Sequence, residues 1–331
     1  MRVLITGSAG FIGYHLAQAL LSEGAEVIGL DAHDPYYDPA LKAAREALLS
    51  GHPGFSVLRA RVEEPGLLSD VFARHRPDVV VHLAAQAGVR HSIDNPSAYL
   101  QSNIIGTFEL LEAARAHPPR HLLLASTSSA YGANREMPYR ETDRADHQMS
   151  FYAASKKSTE AMAHSYAHLF GLPVTMFRFF TVYGPWGRPD MAPYLFTSAI
   201  LKGEPIKVFN HGRMQRDFTY VTDLVRAIRL LMDAVPGDSP VGPEDSLSPV
   251  APHRVVNIGN GAPVELMDFI AAIEAATGRQ AIRTLLPMQP GDVPATWADT
   301  TLLRRLTGYA PRTPVVEGMA HYVDWFRDYY R

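Results

Sequence analysis

The chain has 331 residues, 47% hydrophobic and 20% charged, with a formal net charge of −3. That suits one large domain or two smaller ones sharing a cleft, and it gives no electrostatic basis for binding nucleic acid or an anionic membrane surface. Cysteine is absent, which excludes disulfides, thiolate nucleophiles, iron–sulfur clusters and cysteine-based zinc sites. No apolar run approaches the ~20 residues of a membrane helix. Met1 to Ile5 already reads as core strand rather than as a signal peptide, so the expected location is the cytoplasm.

The first half alternates strand and helix. "RVLIT" (2–6) reads as a strand, followed by a helix from about Phe11 to Glu23. "AEVIGLD" (25–31), "FSVLRA" (55–60) and "DVVVHLAA" (78–85) read as further strands, the last apolar on both faces, as a strand covered by helices requires. A helical stretch from about Asn95 to His117 leads to the strand "RHLLLAS" (120–126), and a helix from about Phe151 to Phe170 leads to "PVTMFRF" (173–179). Repeated β-α-β units predict an α/β fold with a doubly wound parallel sheet. After residue 180 the pattern loosens. "YGPWGRPDMAP" reads as loop, and short strands near Ile206–Phe209 and Val255–Ile258 alternate with helices near Val221–Asp233, Val264–Thr277 and Val315–Tyr330. "PGDSPVGPEDSLSPVAPH" (236–253) reads as a mobile surface loop. The expected division is a dinucleotide-binding domain over 1–180, with segments from about 210–260 returning to it, and a smaller C-terminal α/β domain, mainly 181–331.

Gly7-x-x-Gly10-x-x-Gly13 lies between the first strand and the first helix. Gly7 permits a tight turn, Gly10 lets backbone approach a pyrophosphate, and Gly13 lets helix and strand pack closely. The helix N-terminus then offers unpaired N–H groups to the phosphates. Asp31 ends the second strand 18 residues after Gly13, placed to accept from an adenosine ribose and to repel a 2′-phosphate. The cofactor read from these residues is NAD rather than NADP.

Tyr152 and Lys156 in "YAASK" share one helix face at i, i+4. A phenol, with its unperturbed pKa near ~10, is a poor base at neutral pH. A neighbouring lysine cation, with the positive nicotinamide ring, is expected to bring it toward the working range. Thr127, in the strand-end run "ASTSSAYG" (125–132), is placed to share a substrate hydroxyl with Tyr152.

At these residues the sequence resembles a known family. "TGSAGFIG", "STSSAYG" and "YAASKK" are similar to the extended short-chain dehydrogenase/reductases that act on nucleotide sugars. "RFFTVYGPWGRPDMAP" (178–193), "RDFTYVTDL" (216–224), "NIGNGAPVELMDFI" (257–270) and "PGDVPATWADT" narrow the resemblance to the UDP-glucuronate 4-epimerases over essentially the whole chain. The resemblance implies a Rossmann domain, with UDP-sugar bound mainly by the C-terminal domain. It also implies a 4-keto mechanism, in which Tyr152 removes the O4 proton while the C4 hydride goes to NAD⁺ and then returns to the opposite face. Thr127 bonds O4 and Lys156 holds the ribose. Further cofactor contacts are implied at Phe11, Ile12, His33, Val62, Leu83, Ala84, Ala85, Asn103 and Ser126. Substrate contacts are implied at Thr127, Ser128, Ser129 and Thr181 for O4 and the C6 carboxylate, at Arg188 and Arg216 for the phosphates, at Asp292 for the nucleotide ribose and at Phe209 for the uracil. A homodimer through the helices near 95–117 and 151–170 is implied as well. Two positions depart from the family: Arg61 stands where an acidic residue is expected near the adenine, and His33 where asparagine is expected.

Other readings stand beside this one. A UDP-glucose/UDP-galactose 4-epimerase would share the mechanism, and Thr181, where those enzymes carry asparagine, speaks against it. Decarboxylating or dehydrating relatives carry acids after the catalytic threonine, where this chain has Ser128 and Ser129. A non-catalytic dinucleotide sensor has no use for Thr127, Tyr152 and Lys156 together. Glu160, His164 and His168 have a helical spacing open to a metal, but a polar or subunit-contact stripe explains them as well and hydride transfer needs none. Arg90, after the fourth strand, reads equally as cleft lining or as a structural ion pair. Tyr36 and Tyr37, and the C-terminal "WFRDYY", read as packing.

Overall fold

The structure is a computed structural model describing residues 1–289 and 293–331; Asp292 lies outside the described residues. The chain runs β1 (Arg2–Thr6), α1 (Phe11–Ser22), β2 (Glu26–Leu30), α2 (Pro39–Ser50), β3 (Phe55–Leu58), α3 (Leu67–His75) and β4 (Val79–His82). Two single-turn helices, α4 (His91–Asp94) and α5 (Pro96–Tyr99), and a π-turn at Leu100–Ile105 precede α6 (Gly106–Ala116) and β5 (His121–Ala125). Then come α7 (Phe151–Phe170), β6 (Val174–Phe179), β7 (Thr181–Tyr183), α8 (Ala192–Lys202), β8 (Pro205–Val208), β9 (Gln215–Tyr220) and α9 (Val221–Leu231). The last elements are β10 (His253–Ile258), β11 (Pro263–Glu265), α10 (Leu266–Thr277), β12 (Ile282–Leu285), β13 (Ala295–Thr296), α11 (Thr301–Thr307) and α12 (Val315–Tyr329).

Among the described residues the main sheet has seven parallel strands in the order β10-β6-β5-β4-β1-β2-β3. Its inner strands are buried on both faces, because Val3 and Ile5 of β1 pack toward α1 and α9 while Leu4 packs with Val80 and Leu122 toward α3, α6 and α7. The strand order reverses between β1 and β4, which opens a crevice at their carboxyl ends, where such sheets bind ligands. A second cluster packs α8, α10 and α12 around Phe218 and Tyr220 of β9. α9, β10 and α11 return to the first half: Leu224 and Ile228, Val256 and Ile258, and Leu302 and Leu303 all lie in the core around α1. No described helix is long and apolar enough to cross a membrane.

The sequence reading passed over α2, α3, α8 and α11, and it read the stretch from Asn95 as one helix. Asn103 sits in the π-turn that interrupts that stretch. Segment 236–253 has little regular structure, but it is held rather than loose. Asp245 and Arg254 form a buried two-pronged ion pair (2.8 and 2.9 Å), Ser246 bonds the Val255 carbonyl, and Ser248 bonds His164 at 2.8 Å. Its last residue, His253, already begins β10.

Candidate active site

Gly7 has φ +75°, the left-handed conformation, and a Cβ there would meet the Ala84 nitrogen at 2.8 Å. A Cβ on Gly10 would meet the Gly7 carbonyl at 2.9 Å, and one on Gly13 would meet the same carbonyl. The loop between β1 and α1 therefore lies flush against the end of β4 and leads its backbone into the N-terminus of α1, which starts at Phe11 without a side-chain cap. That is a seat for a diphosphate, with donors unspent. Asp31 shapes the loop directly: its carboxylate accepts from Ala9 N–H (3.0 Å) and His33 N–H (2.8 Å).

A cavity runs from this loop along the crevice. Gly7, Gly10, Phe11, Ile12, Gly13, Asp31, Val62, Leu83, Ala84, Ala85, Ser126, Tyr152 and Lys156, all expected at a cofactor, line it. His33 does not. Its imidazole turns to Glu46 (2.9 Å) while its main chain, at φ +48°, serves Asp31. Asn103 also acts from behind the wall, its amide accepting from Gln86 N–H (2.8 Å) and donating to Gln86 O (3.1 Å) and Ser155 Oγ (2.9 Å). Arg61 lines the same cavity and is tied to Glu63 (2.5 Å) and Asp34 (3.2 Å).

α7 carries the pair expected to react, Tyr152 and Lys156. Ser150 caps it by accepting from Ala153 N–H (3.1 Å), so Tyr152 and Lys156 project from its first turns toward the carboxyl end of β5. Lys156 is buried and donates to the Ala125 carbonyl at 2.9 Å, and burial brings its pKa down to about 8. Burial raises the pKa of the Tyr152 phenol, with a hydrogen bond to Thr127 and the nearby Arg188 cation acting in the opposite sense. The expected lowering of the phenol by Lys156 is thus not what these residues give; its ammonium is turned to a main-chain carbonyl. Thr127 Oγ1 accepts from Ser129 N–H at 3.1 Å and so caps the turn Ser128–Tyr131 that presents both serines.

Behind the pair, one turn along α7, Glu160 accepts from Ser126 Oγ (2.6 Å), twice from Arg178 (2.9 and 2.8 Å) and from Lys157 (3.0 Å). Burial opposes its charge, but Arg178 and the other donors outweigh burial and hold it down at about 2. His164 meets Ser248 and His168 the Val250 carbonyl (2.8 Å), so the three residues of the helical stripe have separate partners. Arg178 in turn lies over the Tyr131 ring, 4.5 Å from its centroid.

Thr181 begins β7, two residues beyond Phe179 on the cavity wall. Arg188 lines the same cavity, held by Asp190 (3.0 and 2.5 Å), and lies 5.7 Å over the Tyr36 ring, whose hydroxyl donates to Asp190 at 3.1 Å. Tyr36 and Tyr37 are cavity wall, which corrects their reading as packing; the C-terminal aromatics do pack together, Trp325 stacking on Tyr329 at 5.6 Å. The Arg90 guanidinium lies 5.2 Å over the ring of Phe209, the residue expected near the uracil. Arg216 donates to the carbonyls of Val293 (2.7 Å) and Pro294 (3.2 Å). Lys42 and Arg45 of α2 were missed. Lys42 lines the cavity and donates to the Asp34 carbonyl (2.7 Å), and the only trace either leaves in the sequence is a cation on the apolar side of a short helix.

Comparisons with known proteins agree with this geometry. The model of the "NAD dependent epimerase/dehydratase family" matches residues 3–259. A probable UDP-glucuronate 4-epimerase of Rhizobium meliloti (strain 1021) is 53% identical over 335 residues, covering 100% of this chain and 98% of that protein. The crystal structure of UDP-glucuronic acid 4-epimerase from Bacillus cereus in complex with UDP-glucuronic acid and NAD superposes with a TM-score of 0.89 at 32% identity, covering 99% of both chains. A UDP-glucose 4-epimerase of Thermotoga maritima with UDP-glucose gives a TM-score of 0.87 at 31% identity over 100% of both chains.

Proposed function

Because the chain belongs to the NAD dependent epimerase/dehydratase family, we propose that it inverts C4 of UDP-glucuronate to give UDP-galacturonate through a 4-keto intermediate. The glycine loop, Asp31 and Lys156 hold the cofactor. When bound, NAD supplies the acceptor and donor of the C4 hydride, and the positive nicotinamide ring opposes the upward push of burial on Tyr152. Tyr152 takes the O4 proton as C4 is oxidised and gives it back as C4 is reduced on its other face. Thr127, fixed by Ser129 N–H, holds O4. Ser128, Ser129 and Thr181 meet the C6 carboxylate as neutral donors, which exchange partners while the sugar turns, where a two-pronged arginine would hold one orientation. Arg188 and Arg216 serve the phosphates, Phe209 and Arg90 the uracil end, and Asp292 the nucleotide ribose.

The observation that carries this reading is the meeting of Thr127, Tyr152 and Lys156 beside a dinucleotide loop, in a chain aligned end to end with a protein named as a probable UDP-glucuronate 4-epimerase. The purified protein incubated with UDP-glucuronate is expected to give UDP-galacturonate, resolved by chromatography from UDP-pentoses. A UDP-pentose as main product, or faster turnover of UDP-glucose than of UDP-glucuronate, would overturn the assignment. A cytoplasmic homodimer completes the proposal; exposed Phe108 on α6 and Leu169 on α7 support pairing through these helices.

A further inference from the structure

Behind the glycine loop sits a cation with no evident counter-ion. Arg45 is completely buried, and among the described residues no carboxylate pairs with it. Its Nη1 donates to the Ala9 carbonyl (3.0 Å) and to the Tyr37 hydroxyl (2.9 Å), and its Nη2 donates to the Trp186 carbonyl (2.5 Å), while Nε has no partner. An uncompensated buried charge costs stability, so its retention asks for a use.

Its two carbonyl partners stand 177 residues apart in sequence. Ala9 lies at the middle of the diphosphate seat, with its N–H already fixed by Asp31. Trp186 stands at φ +61° in the turn that begins at Gly184. The neighbouring Pro185 carbonyl is gripped from α1 by His15 Nε2 at 2.9 Å. Burial takes the His15 pKa to about 4, so the ring is neutral at working pH and the nitrogen facing the carbonyl carries the proton. Two residues beyond Trp186 comes Arg188, the cation that faces Tyr152.

We propose that Arg45 is a positioning residue that locks the diphosphate seat to the turn delivering Arg188. The cofactor and the substrate-facing arginine then keep one fixed spacing, and the charge of Arg45 lies behind the seat where the cofactor's diphosphate binds. A planar guanidinium reaches two carbonyls and a hydroxyl at once; a lysine ammonium is a point donor on a flexible stem and cannot bridge them in one geometry. The substrate half of this inference rests on the function proposed above, and the cofactor half needs only NAD.

The test is a double-mutant cycle. Arg45→Lys and Arg45→Gln are made alone and on Arg188→Ala, and NAD Kd, KM and kcat with UDP-glucuronate, and Tm are measured. Arg45→Lys is expected to raise KM about tenfold with NAD Kd within about threefold of wild type, and Arg45→Gln to weaken NAD about tenfold as well. The KM effect should shrink below about twofold once Arg188 is gone. A lowered Tm with unchanged KM and NAD Kd, or additive effects with Arg188→Ala, would show Arg45 to be packing only and overturn the proposal. If both variants fail to fold, His15→Gln loosens the same turn; it should raise KM two- to fivefold, roughly, and non-additively with Arg188→Ala, and no change overturns the proposal. If the wild type does not turn over UDP-glucuronate, the functional reading fails by itself. The NAD Kd of Arg45→Gln then decides this proposal, a tenfold loss supporting it and no change overturning it.

Discussion

Two neighbouring stretches of α7 are chemically opposite, although Lys156 in one and Glu160 in the other are both buried. In the first turns, Lys156 donates one hydrogen bond to the Ala125 carbonyl and Tyr152 meets Thr127, and burial displaces both from their ordinary pKa values, the ammonium down and the phenol up. One turn on, Glu160 has donors on both oxygens and is held below the usual carboxylate range. The same loss of water makes a proton mobile where partners are few and fixes a charge where they are complete. The groups proposed to react sit on the under-partnered turn, and the saturated one holds a fixed ion pair.

The sharpest way to break this contrast is Tyr152→Phe. It should cut kcat by about 10²- to 10⁴-fold while Tm and UDP-sugar binding stay near wild type. Activity within threefold of wild type would show that another group takes the O4 proton. Glu160→Ala should do the reverse. It leaves Arg178 buried without its carboxylate, and urea unfolding should report a loss of about 3–5 kcal/mol. Glu160 has a folded pKa of about 2 against the usual 4.5, so its contribution is full above pH 4.5 and fades as pH falls toward 2. The Glu160→Ala variant should lack that acid limb, and an unchanged limb would assign it to other groups. The smallest effect is on product identity. Oxidation at C4 makes a β-keto acid, which loses CO₂ when the C5–C6 bond aligns with the carbonyl π-system. Thr181→Ala should slow epimerisation and raise the share of UDP-4-keto-pentose. An unchanged ratio, there and in Ser128→Ala/Ser129→Ala, would remove these hydroxyls from carboxylate control.

The parts of the site legible in sequence were those whose geometry is local. Gly7, Gly10 and Gly13 with Asp31 report a strand–turn–helix, and Tyr152 with Lys156 reports one helix face. Arg45 was illegible because its role depends on Trp186, 141 residues away, and in sequence it is one cation among many in "LKAAREALL". Segment 236–253 misled in the opposite sense: its prolines, glycines and serines have the composition of a loose loop, and one buried pair, Asp245 with Arg254, overrides it. α8 was hidden because Pro193, placed in its first turn, also looks like a continuation of the loop before it. The ring of His33 is bound by Glu46, a partner 13 residues away that the sequence does not place beside it.

The edge position of β10, paired with β6 in the main sheet, bears on how such a chain can be divided or recombined. A gene cut near residue 180 looks like a clean boundary between modules, yet it would strip β10 from β6 and α9 from α1, leaving a row of unpaired main-chain groups on an open strand. The two halves are therefore interleaved rather than fused. Recombination would have to leave the returning strand in place and exchange single residues, in the second half and in the Thr127–Ser129 turn of the first alike.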